Sequence, residues 1–235
     1  FKSKQSTLAI VRESFPATAL VGGLGLLASV ALAVLFGTLA GRKPGGWVDR
    51  VVSWSMVGSI AMPPFLLGLL LIRLFAEEWR VLPASGLAPA GTVGFAPQPR
   101  YLVLPVAVVT LGMAPILARY LRDALVSVLA DDYVRTARAK GLAESGVLYR
   151  HALRNALIPV ISLLNTFIPV TLGGLVIIES VFGLPGIGRV TTTAALSADY
   201  PVVLTNVMFV ALLTLIVSLL VDALYSFIDP RIRLE

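Results

Sequence analysis

The stretch DDYVRTARAKGLAESGVLYRHALRNALIP, residues 131–159, carries five basic side chains, Arg135, Arg138, Lys140, Arg150 and Arg154, between two strongly apolar runs. It reads as helix, turn, helix. Asp131 or Asp132 supplies an N-terminal cap for a short helix over 133–140. Gly141 fits the left-handed position that ends it. Glu144 or Ser145 starts a second helix reaching about Asn155, with Pro159 near the start of the next apolar run. Upstream, Leu117, Leu121, Leu125 and Val128 recur at helical spacing, and Arg119 and Asp123 form an i,i+4 pair on another face. The helix before the polar stretch therefore continues into it. The side chains of Ala137 and Ala139 are small, so the first short helix fits a groove of another protein, with Arg135, Arg138 and Lys140 facing acids at its rim. The competing reading is a basic amphipathic helix lying on anionic membrane lipid, which favours large apolar residues instead.

Five stretches around this segment lack Asp, Glu, Lys and Arg: 14–41, 51–72, 101–118, 155–178 and 200–221, each at least 18 residues long. About 20 apolar residues in a helix cross the hydrocarbon of a bilayer. The chain is 57% hydrophobic, with a mean hydropathy of +0.89. It therefore reads as an all-α polytopic membrane protein with five transmembrane helices. Basic residues favour the cytoplasmic side. The segments after the first, third and fifth spans carry 12 of them and the other side 7, so 131–159 and the C-terminus are expected in the cytoplasm. The net charge of +6 follows this asymmetry and does not call for a nucleic-acid partner. The N-terminus then falls outside, and without a signal-peptide pattern this implies that a helix precedes Phe1 in the full protein. Residues 73–100, rich in Pro and Gly, read as an irregular extracytoplasmic loop.

Several chemistries are excluded by residue type. There is no cysteine, hence no disulfide, thiolate nucleophile or thiolate-bound metal. No Gly-Lys dipeptide occurs, so the chain carries no phosphate-binding loop of the Gly-Lys-Ser/Thr kind. No span holds an ionisable residue in its interior, which disfavours a proton-coupled carrier, although sodium held by backbone carbonyls stays open. The single histidine, His151, lies in the cytoplasmic segment, away from any intramembrane serine, so a serine protease is disfavoured. The uncharged polar residues of the spans, Thr110, Ser162, Asn165, Thr166, Thr171, Asn206, Thr214 and Ser218, either bond between helices or line a water-filled path. Asn165 and Asn206 are the pathway candidates. Pro63, Pro64, Pro115 and Pro169 are places where a helix can bend. Gly173-Gly174 and GLPGIG (183–188) flank Glu179, and a segment there can fold back towards the outer mouth of a pore.

DYVRTARAKGL followed by HALRNALIP resembles the cytoplasmic signature of permease subunits of binding-protein-dependent ABC transporters. It looks most like the B-type permeases of the dipeptide, oligopeptide and nickel branch. ESVFGLPGIGRV (179–190) and DALYSFIDPRIR (222–233) are similar to that branch's segment before the last span and to its C-terminal ending. The resemblance implies the type I importer permease fold over 1–235, with five of six transmembrane helices present. It implies that 131–159 is a coupling segment docking into a cytoplasmic ATPase through Arg135, Thr136, Ala137, Lys140, Gly141 and Leu142. The general importer pattern begins Glu-Ala-Ala. Here Arg135 and Thr136 take the first two places and only Ala137 agrees, so the resemblance carries over the dock and leaves open which ion pairs hold it.

The partners implied are a second homologous permease, two cytoplasmic ATPase domains and an extracytoplasmic solute-binding protein, in a bacterial or archaeal plasma membrane. ATP is used by the ATPases, and no cofactor or metal is expected on this chain. Asp199 reads as a solvated loop charge, with contact to the solute-binding protein as the alternative. The cargo implied is di- or oligopeptide. Nickel, glutathione or another small solute stays open, as does an ATP-independent carrier or channel.

Overall fold

The computed structural model describes residues 6–92 and 94–228. Among them the regular structure is entirely helical: α1 (Thr7–Arg42), α2 (Trp47–Ala61), α3 (Pro64–Leu71), α4 (Pro99–Leu129), α5 (Asp132–Ala139), α6 (Glu144–Gly146), α7 (Leu153–Val181), α8 (Ile187–Leu196) and α9 (Tyr200–Ile228). Helices α1 and α4 and the Tyr200–Val221 part of α9 are each long and apolar enough to cross a membrane, and α2 and α3 qualify as one broken span. The fourth apolar stretch, 155–178, lies within the 29 residues of α7.

Three features differ from the sequence expectations. The stretch 51–72 is not one helix, because the chain leaves helical geometry at Met62 and Pro63 and restarts at Pro64. Pro63 and Pro64 have no N–H to continue the ladder, and a proline disfavours helical geometry in the residue before it. The loop expected from residue 73 begins later, since Ile72–Glu78 continues α3 with wider π-type turns. The second helix of the polar segment does not stop near Asn155. After a π-type stretch, Val147–Ala152, it runs unbroken into α7, with Pro159 in its second turn.

The backbone packs as two compact units, one from the described parts of Phe1–Leu27, Met62–Leu111 and Ile168–Ile216, the other from those of Ala28–Ala61, Gly112–Phe167 and Val217–Glu235. In the second unit Leu117, Leu121 and Leu125, one helical turn apart, are fully buried among Ala33, Ala40, Leu148, Ala152 and Ala156. This is the apolar stripe read from the sequence. Small residues let the backbones close up there. A Cβ on Gly37 would stand 2.7 Å from the Ala118 carbonyl oxygen, and one on Gly41 2.9 Å from Leu125 Cδ2. Gly37 and Gly41 are four apart, the small-residue spacing that lets membrane helices touch. In the first unit Gly25 serves the same end, with Val109 filling the space a Cβ would need.

Candidate functional site

Three polar assemblies stand out, two in the second unit and one in the first. In the second unit, α4 ends at Leu129 and the chain turns through Ala130 and Asp131 into α5. Asp131 is the N-cap in extended geometry, accepting the backbone N–H groups of Val134 and Arg135 through its carbonyl, with no bond from its own side chain. The far end of α5 closes on Gly141, φ +79°. There the Gly141 N–H donates to the Arg138 carbonyl and the Leu142 N–H to that of Ala137. This paired closure is the Schellman motif, and it needs a left-handed residue where glycine stands.

The two faces of α5 differ sharply. Val134 and Ala137, three residues apart, are buried against Val147, with Val128 and Leu129 alongside. Tyr133, Arg135, Thr136, Lys140, Gly141 and Leu142 are exposed. Arg135 makes only a loose 3.7 Å ion contact with Asp132, and the Thr136 hydroxyl donates to the Asp132 carbonyl at 2.9 Å. Five of the six residues named for docking therefore share an outward surface, and Ala137 faces its own chain.

Two contacts across the turn brace this surface. Arg138 grips Glu144 with two bonds, Nε to Oε2 at 3.1 Å and Nη2 to Oε1 at 2.8 Å. Arg138, expected to face a partner's acids, remains exposed and pairs with Glu144 across the turn. Its guanidinium, mainly through these bonds, holds the Glu144 carboxyl below the usual glutamate range. The brace is thus present above the ordinary glutamate value and is lost as the pH falls through the lowered one. Asn155 Nδ2 donates to the Tyr133 hydroxyl at 2.7 Å, tying α5 to α7.

The same unit holds an ion-pair network between α2 and α4, in which the expected Arg119–Asp123 pair joins contacts that the sequence did not disclose. Arg122 takes both oxygens of Asp49, at 2.8 and 2.7 Å. Asp49 also accepts the Gly45 N–H, and Arg122 bonds Asp123, which pairs with Arg119. Arg119 reaches Ser53 as well.

In the first unit Glu179 is completely buried. Thr18 donates its hydroxyl to Glu179 Oε1 at 2.6 Å, and the Arg189 N–H donates to Oε2 at 3.0 Å. The Ile187 N–H in turn donates to the Thr18 oxygen at 2.9 Å. A carboxylate thereby caps the N-terminal end of α8, where the unpaired N–H groups and the helix dipole favour negative charge. The glycines of GLPGIG make room for it: a Cβ on Gly186 would overlap the Glu179 carboxyl group, and one on Gly188 would come within 2.5 Å of Val176 Cα. Glu179→Ala is expected to destabilise the folded protein by roughly 2–4 kcal/mol, because Thr18 and the α8 N–H groups lose their acceptor. Glu179→Gln, which keeps one oxygen, costs less. Thermal unfolding of the purified protein measures both, and equal values for the two variants would contradict the capping role.

The pathway candidates are placed differently. Asn206 is fully buried, with Nδ2 donating to Thr191 Oγ1 at 3.0 Å and no partner for Oδ1 among the described residues. Asn165 is half-buried in α7 of the other unit. Asp199 is only 8% exposed, which corrects its reading as a solvated charge. The side chains of Pro169 and Thr171, and the end of the 222–233 motif beyond residue 228, lie outside the described residues.

The model of the family described as the inner membrane component of binding-protein-dependent transport systems matches residues 33–234. The chain belongs to that family. It is a multi-pass membrane permease of the ABC importer type. The oligopeptide transport system permease protein OppB of Haemophilus influenzae is 39% identical over 235 residues, covering 99% of this chain and 74% of that one. The dipeptide transport system permease protein DppB of Bacillus subtilis is 34% identical, covering 100% and 73%. A solved structure of the MetNI methionine ABC transporter, inward-facing, superposes with a TM-score of 0.65 at 17% identity, covering 94% of this chain and 95% of that one. The permease fold expected from the sequence is therefore the fold observed.

Proposed function

We propose that this permease forms, with a second homologous permease, the translocation path of an ATP-driven importer of di- and oligopeptides. Cytoplasmic ATPases dock on the exposed face of α5, and a solute-binding protein delivers cargo from outside. The observation that carries the reading is α5 with its Gly141 closure, a short helix that packs its Val134 and Ala137 against Val147 and presents Arg135, Thr136, Lys140 and Leu142 outward. The peptide cargo is supported by the similarity to peptide permeases over nearly the whole chain.

ATP binding closes the ATPases, which displaces α5. The brace from Arg138 to Glu144 and the tie from Tyr133 to Asn155 pass that displacement into α7 as a rigid lever. The path then alternates between inward- and outward-facing states, with energy supplied remotely. ATP is handled by the partner subunits, and this chain supplies no catalytic group. On this reading the C-terminus and 131–159 are cytoplasmic. Asn165 and Asn206 are the two pathway candidates, and Asn206 also ties α9 to α8 through Thr191.

Reconstitution of the full-length permease with its neighbouring permease, ATPases and solute-binding protein tests this. Uptake of labelled di- and oligopeptides should require both the ATPases and ATP. Uptake at the same rate without the ATPases would move the carrier or channel reading to the front.

A further inference from the structure

Buried polar side chains from three of the long helices meet on one short helix, α8, all within the first unit. Glu179 of α7 accepts the Arg189 N–H at 3.0 Å. Thr18 of α1 donates to Glu179 at 2.6 Å and accepts the Ile187 N–H at 2.9 Å. Asn206 of α9 donates to Thr191 at 3.0 Å. Thr18, Glu179 and Asn206 are all buried. These contacts also fix the level of α8. Thr18 is the fifth residue of the uncharged stretch 14–41, and Asn206 the seventh of 200–221. At about 1.5 Å of rise per residue they stand roughly 6 and 9 Å inside the ends of those stretches. Helix α8 is thus seated within the apolar layer rather than above it. The chain enters through Gly183, φ +61°, and leaves through Ala198, φ +54°, two left-handed residues that turn it in after α7 and out again before α9. Irregular backbone at that level needs burial in protein or a water-filled cavity to line. Here Phe182, Leu184 and Gly186 are buried.

A plain connector between α7 and α9 needs no buried carboxylate. Ionisable groups in the apolar layer are expensive and mark working sites. Directional bonds from three helices also fix one seat, where apolar packing alone tolerates sliding. We infer that α8 is a re-entrant segment that seals the outer end of the path, and that Glu179, Thr18 and Asn206 are positioning residues that clasp it in its seat. The outer side follows from the charge asymmetry of the sequence. The inference rests on the import reading above for the path and adds the element that closes it. With the clasp loosened, α8 leaves its seat and small solutes cross without ATP.

The test uses the full-length permease assembled with its partners in right-side-out vesicles. Residues 1–235 hold no cysteine, so Ile187→Cys, at a position 2% exposed, reports on α8. A membrane-impermeant maleimide is added outside, and the modified peptide is read by mass spectrometry. Ile187→Cys alone should stay protected. Adding Thr18→Val or Asn206→Leu should speed labelling by about tenfold, the value of one lost hydrogen bond. Thr18→Ser, which keeps the hydroxyl, should leave it protected. Leak of trapped radiolabelled sucrose without ATP should rise in the same two variants. Arg122→Ala, which weakens the second unit, should change neither readout. Labelling unmoved by both clasp variants, or raised without a leak, would overturn the inference. So would the same leak in Arg122→Ala, which marks general loosening. Peptide uptake with the solute-binding protein and ATP, measured on wild type, separates the two claims. Normal uptake with unmoved labelling sinks the clasp alone. Clasp-dependent labelling and leak without any peptide uptake sink the import reading and leave the seal standing.

Discussion

Gly141→Pro is expected to abolish ATP-driven uptake while leaving membrane insertion intact. Gly141 sits at φ +79°, where proline, locked near −65°, cannot follow. Proline also lacks the N–H that Gly141 donates to the Arg138 carbonyl. The closure of α5 must therefore open, and with it the placement of Lys140 and Leu142. The local cost is about 3 kcal/mol or more. It falls on an exposed turn, where a Cβ on Gly141 would meet nothing within 4 Å, so the cores of the two units are spared. Gly141→Ala is the control. It meets only the left-handed penalty of about 1–2 kcal/mol and should retain much of the uptake. Proteoliposome uptake and ATPase stimulation measure both variants. Uptake by Gly141→Pro at the wild-type rate would remove the turn from the coupling path.

Arg122→Ala should strongly destabilise the second unit. The Arg122 and Asp49 side chains are 17% and 8% exposed and share two short bonds. Removing one member of a buried pair leaves the other uncompensated, at about 3–5 kcal/mol. Among the described residues Asp49 would keep the Gly45 N–H alone, and Asp123 Arg119 alone. The double variant Arg122→Met, Asp49→Leu should recover part of the loss, because an apolar pair of similar volume needs no desolvated charges. Thermal unfolding of the detergent-solubilised permease would show it. A loss under about 0.5 kcal/mol for Arg122→Ala would mean that solvent reaches the pair freely.

Much of the fold was legible because it depends on local periodicity. The Leu117, Leu121 and Leu125 stripe and the glycine stop at Gly141 are statements about one turn of helix, and one turn is what a sequence displays. The break at Met62–Pro63 was half visible: two adjacent prolines were read as a bend within one span, yet they end a helix. What stayed hidden depends on distance along the chain. Thr18 and Glu179 are 161 residues apart, and nothing local to either says that one caps the other's helix neighbour. Arg122 meets Asp49 across 73 residues in the same way. The pairing of Arg138 with Glu144 stayed hidden for a different cause. The basic charge of Arg138 was visible, but the direction it points depends on how the Lys140–Ala143 turn brings Glu144 back beneath it. The closing spacing of Gly37 and Gly41 was in plain sight, and a search for small residues four apart would have found it.

The cluster under α5 is thin: Val134, Ala137 and Val147, with two partly buried neighbours. Eight residues of helix held by so little buried surface form a low-stability region that opens on its own, long before the rest of the protein. Its amide protons should therefore trade with deuterated solvent quickly in the solitary permease, while those around Leu121 in α4 exchange slowly. Covering the outward face of α5 should slow the exchange at 132–139 in the assembled transporter and nowhere else in the second unit to the same degree. Deuterium uptake read by mass spectrometry, with and without the ATPases, would reveal it, and unchanged uptake over 132–139 would mean that nothing settles there. If the ATPases cover α5 as proposed, an element this loose when alone conveys force only in their company, and an unassembled permease stays idle.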